Sequence, residues 1–173
     1  MSVGGSGDWA TATNWEGNQT PGSADDAYVR YGGDADLSEN ERVENLLVDE
    51  DSVVFVGSWK LTVDDTATVG QGTEYAAISI IGASGGELEA DTVVVNDGAI
   101  ITLLNDGLID AGKVNIETGG KITGSGTIDG ATGIKNNGTV TSLGTLILTT
   151  AAATGMDLDG TTGNGKVVGA LGE

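Results

Sequence analysis

The chain has no cysteine and no histidine. Their absence excludes disulfide scaffolds, thiolate and imidazole metal sites, Ser-His-Asp and Cys-His catalysis, and the commonest general base. Positive charge is scarce, with 7 Lys and Arg against 26 Asp and Glu and a net charge of −19. A surface so poor in cations has little with which to neutralise phosphates, which argues against nucleic-acid binding. No apolar run nears the roughly 20 residues that span a bilayer, so no membrane association is expected. The opening Met1-Ser2-Val3-Gly4-Gly5 has neither a basic nor an apolar signal region. The expectation is a soluble chain made in the cytoplasm. There is one proline, and the 30 glycines follow no three-residue period, which excludes a collagen-like chain. Aromatics make up 4% of the chain, few for a β-sandwich core.

What the chain does have is β-type text. From about Leu61 onward, short runs such as Leu61-Thr62-Val63, Ile78-Ser79-Ile80-Ile81, Thr92-Val93-Val94-Val95, Lys113-Val114-Asn115-Ile116 and Thr145-Leu146-Ile147-Leu148 are separated by Gly, Asn and Asp. β-Branched residues dominate and apolar positions often alternate, the mark of half-buried strands. Val93–Thr102 aligns with Val114–Thr123 at an offset near 21, with one residue of slack expected after the turn. Asn105–Asp110 recurs as Asn136–Thr141 at an offset of 31. The repeating unit reads as strand, polar-Gly corner, strand, because Gly and Asn accept positive φ cheaply.

Such coils stack in parallel and bury their inward Val, Ile and Leu. The expected class is all-β: a short parallel (right-handed) β-helix or solenoid with an N-terminal cap segment. A β-sandwich or jelly roll is the alternative. Residues 1–36 read as the aromatic cap or anchor, 37–150 as the coils, and 151–173 as a terminal coil or tail. At Ser38-Glu39-Asn40-Glu41 a capping box with Val43, Leu46 and Leu47 at helical spacing competes with a strand reading.

Gly7-Asp8-Trp9, Asn14-Trp15, Pro21 and Asp25-Asp26-Ala27-Tyr28-Val29 form a spaced set. It resembles the segment that opens autotransporter and adhesin passenger β-helices. Asn136-Asn137-Gly138-Thr139-Val140 and Gly144-Thr145-Leu146-Ile147-Leu148 resemble passenger repeats as well. In this short, strongly acidic form, without an export signal or a membrane barrel in the sequence, the chain resembles a bacteriophage capsid decoration (cement) protein. That resemblance implies a homotrimer on the virion surface, with the major capsid protein as partner and no enzymatic activity. A passenger-type adhesin fragment is the first alternative, and a tailspike-like polysaccharide-binding or -degrading protein the second. Trp9, Trp15, Pro21, Tyr28 and Tyr31 are the candidate cap or partner-binding residues. Two indole rings folded over the first coil would seal its open apolar end.

Carboxylates are the only plausible catalytic groups, clustered at Asp25-Asp26, Asp34/Asp36, Asp49-Glu50-Asp51, Asp64-Asp65 and Glu87/Glu89/Asp91. A glycosidase needs two of them roughly 5–9.5 Å apart in a cleft. With 26 acids, close pairs arise by chance, so no catalytic residue is assigned. Asp157-Leu158-Asp159-Gly160 has a passing likeness to a calcium loop but lacks the later acidic ligand and reads as a solvated turn. No metal or cofactor is expected. Residues 1–97 carry a net charge of −16 and residues 98–173 only −3, so one end is chemically distinct. The acids keep that end soluble or face a basic partner.

Overall fold

The structure, a computed structural model, describes residues 2–3, 7–71, 75–81, 85–151, 156–157 and 166–168. Its strands are β1 (Ser2–Val3), β2 (Gly7–Asp8), β3 (Asp26–Val29), β4 (Asp34–Asp36), β5 (Glu41–Val43), β6 (Asn45–Val48), β7 (Ser52–Gly57), β8 (Lys60–Val69), β9 (Ala76–Ile81), β10 (Glu87–Val95), β11 (Ala99–Ile116), β12 (Lys121–Asn136), β13 (Thr139–Thr149), β14 (Met156–Asp157) and β15 (Lys166–Val168). Every pairing between them is parallel.

The chain visits three ladders in rotation. The first joins β1, β3 and β6 to the C-terminal parts of β8, β10, β11 and β12, and then to β14. The second joins β2, β4, β7 and β9 to the N-terminal parts of β11, β12 and β13, and then to β15. The third runs from β5 through the first halves of β8 and β10 and the middles of β11 and β12 to the end of β13. The result is a β-solenoid of about six turns. The sandwich and jelly-roll alternatives are set aside.

Register explains the sequence pattern. On the first ladder Val29, Val48, Val69, Val95 and Ile116 stack in one buried column. On the second the column is Ala35, Val54, Ile78, Ile101, Ile122 and Val140. On the third it is Leu61, Leu88, Ile109 and Ile128, ending at the partly buried Leu148. Stiff β-branched side chains suit such columns, because each packs on its own kind one rung away, roughly 4.8 Å along the stack.

The same stacking decides the ambiguous segment. Residues 41–48 form β5 and β6, with Val43, Leu46 and Val48 buried in the core, and the capping-box helix does not form. A three-residue 3-10 turn at Ala12–Asn14 is the one helical element among the described residues. Strand structure also begins well before Leu61, with β3 and β4 already in register on β6 and β7.

The repeats resolve unequally. The offset of 21 holds without slack through the turn, from Val93 opposite Val114 to Ile101 opposite Ile122. The offset of 31 does not mark equivalent positions: Leu108 pairs with Thr127 on the third ladder, whereas Thr139 pairs with Lys121 on the second. The two segments resemble each other because both turn corners. Asn105 and Asp106 do so at φ of 50° and 68°, and Asn136 by accepting the Gly138 N–H at 3.1 Å through its buried side chain. Glycine is obligatory at Gly124, where φ is 125° and a Cβ would strike the Leu103 carbonyl oxygen of the adjacent turn.

Candidate functional site: the N-terminal cap and the acidic face

The opening motif links β2, the end strand of the second ladder, to β3 and places two indoles in the core. Asn14 donates its side-chain Nδ2–H to the Asp8 carbonyl at 2.9 Å, and Trp15 donates Nε1–H to the Trp9 carbonyl at 2.7 Å. Both bonds reach back six residues, which accounts for the spacing of Asp8-Trp9 and Asn14-Trp15. Gly7 leaves room for the first of them, since a Cβ there would lie 2.6 Å from Asn14 Nδ2 and push the amide aside. The two indoles meet edge to face with centroids 4.8 Å apart. Trp9 and Trp15 are 1% and 2% exposed and belong to the core. The Trp9 N–H donates to the Asp36 carbonyl, which ties the motif to β4. Pro21 is also buried, and beyond it Asp25 closes a turn by accepting the Gly22 N–H at 2.9 Å.

Tyr28 and Tyr31 sit apart from the indoles. The Arg30 guanidinium lies over both phenol rings, 5.2 Å from the Tyr28 centroid and 5.1 Å from that of Tyr31. The Tyr28 hydroxyl donates to Asp26 at 3.2 Å, and the negative charge of Asp26, followed by burial, pushes the phenol pKa up. Tyr31 occupies the left-handed region at φ 64° and is 67% exposed. The five candidate residues therefore split into three that are buried, Trp9, Trp15 and Pro21, and two that Arg30 joins nearer the surface, the part-buried Tyr28 and the exposed Tyr31.

The sequence reading did not single out three further exposed aromatics: Phe55 on β7, Trp59 at the β7–β8 corner and Tyr75 ahead of β9. The signal was available for Phe55, whose position alternates outward from the inward Val54 and Val56.

A polar groove of about 370 Å³ lies on the third ladder, lined by Arg42, Thr62, Asp64, Glu89, Asp91 and Asp110 above a floor that includes Ala90, Ala111 and Gly112. Thr62, Glu89, Asp110 and Asp129 occupy one outward row on successive turns. Lys60 Nζ bridges Glu87 at 2.9 Å and Glu89 at 2.8 Å, and Arg42 pairs with Asp64 at 2.8 Å. The Lys60 hydrogen bond holds the Glu89 carboxyl below its ordinary range. Asp110 is pushed the other way by burial and by Glu87, Asp129 and Glu89. The row joins Glu89 to Asp110 and Asp129, two acids outside every cluster seen in the sequence. Among the described residues no group of three or more carboxylates is arranged to hold a metal ion. The calcium-like segment Asp157–Gly160 lies almost wholly outside the described residues.

No known protein family matches the chain, and neither a curated protein nor a solved structure matches it.

Proposed function

We propose that this protein is a non-enzymatic decoration protein that binds the outer surface of a viral head as a homotrimer and stabilises it, with the major capsid protein as its partner. The observation that carries the reading is the placement of Tyr31, Phe55, Trp59 and Tyr75. All four are exposed aromatics, and all lie in the acidic part of the chain. Aromatic anchors amid negative charge fit a basic protein surface, because the rings supply the desolvated contact and the acids steer and orient the approach. The stacked turns supply a stiff stem on which such a surface is presented.

Viral heads stripped of the protein should rebind it, and binding should weaken as salt is raised. Replacing Tyr31, Phe55 and Trp59 together by Ala should reduce binding at least tenfold, the loss of about 1.4 kcal/mol or more expected for truncated interface anchors, while the thermal melt stays close to wild type. Folded protein that ignores such heads overturns the proposal.

The groove on the third ladder favours a second reading, a polysaccharide-binding or -degrading protein. Its neighbouring carboxylates, Glu89 held low and Asp110 raised, are the kind of pair that acid–base cleavage of a sugar chain employs. Release of reducing ends from a host polysaccharide, abolished in Asp110→Asn, would select that reading over the first.

A further inference from the structure

The inward column of the third ladder is Leu61, Leu88, Ile109 and Ile128, and the residue that stands in register above Leu61, at the cap end of the same column, is Glu41. A carboxylate thus occupies a position that every following turn gives to an aliphatic side chain. The next inward residue of β5, Val43, is fully buried, whereas Glu41 is part-buried. The charged groups acting on Glu41 are Glu39, in the lead-in to its own strand, and Asp8, on the cap strand β2. Asp8 Oδ1 is fixed there by the Ala10 N–H at 2.8 Å and the Ser38 hydroxyl at 2.9 Å. The cations beside Glu41 in sequence and across the ladder are committed elsewhere, Arg42 to Asp64 and Lys60 to Glu87 and Glu89. Three carboxylates from the cap and the first turn therefore converge where the lid meets the stack.

We propose that Glu41 makes the seat of the N-terminal cap a proton-dependent latch. Protonated, Glu41 completes the apolar column beneath the cap and relieves the repulsion with Asp8 and Glu39, so the lid closes down. Ionised, it draws water to the end of the column and loosens the lid. Burial, then Glu39 and Asp8, pushes its carboxyl up to about 7. Because the folded-state value lies above the unfolded one, the folded state holds the extra proton. Its stabilisation is fully present below the unfolded value near 4.5 and fades as pH rises through about 7.

The test uses the full chain in a Trp59→Phe background, so that only the cap indoles Trp9 and Trp15 emit. Acrylamide quenching should fall by about twofold between pH 8 and pH 5.5, with a parallel rise in Tm. Glu41→Gln should quench weakly at pH 8 already and show no such pH profile. Asp106→Asn, which removes a charge from an exposed corner, should follow the parent and so separate the latch from general relief of negative charge. If Glu41→Gln fails to fold, Glu41→Leu, which extends the aliphatic column, should give the same flat profile. A parent protein with no pH dependence, or a Glu41 variant that keeps the parent's profile, overturns the proposal.

Discussion

Asn14 and Trp15 each hold a carbonyl six residues back, so the opening motif is a local device that needs only its own segment to take shape. Trp15→Phe keeps most of the ring but strands the buried Trp9 carbonyl, at a cost of about 1–3 kcal/mol. Trp15→Ala also removes the edge-to-face partner of Trp9 and leaves a cavity, at roughly 3–5 kcal/mol. Denaturant melts should rank the two in that order, and an Ala variant as stable as wild type would remove the lid from the account. The burial of both tryptophans was legible in the sequence, because an open solenoid end needs a large apolar cover and the chain has few other candidates. Tyr31 was not separable from them. Its exposure follows from a left-handed backbone at the corner between β3 and β4, and nothing in the residue type announces a positive φ there.

At the scale of the strand, each turn is held by its neighbours' register more than by its own propensity. Ser38–Leu47 shows this: its capping box and helical spacing are real, but Val43, Leu46 and Val48 gain more by joining columns that run the length of the stack. The offset of 21 made the stacking of residues 93–102 on 114–123 readable, and carried upstream it already places Asp110 against Glu89. The acidic row still went unseen, because neighbouring turns differ in length and no local pattern gives the register of Asp110 on Asp129. Corners impose the opposite demand, close approach without a side chain. Gly124→Ala should therefore cost about 2–4 kcal/mol, combining an unfavourable φ with contact against the Leu103 carbonyl, whereas Ser125→Ala one residue on should change little. Equal midpoints in urea for the two variants would contradict this reading of the corner.

Over the whole molecule, charge is segregated along the stack. Every base in residues 1–97 is engaged: Arg30 over two tyrosines, Arg42 on Asp64, and Lys60 on Glu87 and Glu89. The acids that these three bases leave unpaired set the terms for assembly. Self-repulsion from a net charge of −19 per chain opposes association unless the acids lie outside the contact. A homotrimer should accordingly tighten with added salt, while attachment to a basic surface weakens with it. Light scattering at micromolar concentration across a salt series tests the first trend, and a monomer at every salt concentration would leave the trimer without support.

The parallel ladders carry a mechanical consequence. Their hydrogen bonds run along the stack axis, so a pull that separates the two ends loads one rung at a time instead of shearing many together. Under tension the stem should part like a zipper, at low and repeated force, each step releasing one turn of about 20 residues and hence roughly 70 Å of chain. Load applied across the axis meets whole strands backed by the aliphatic columns, and the stem should resist it far better. A particle carrying such stems would yield to stretching of each stem and stay stiff against sideways impact.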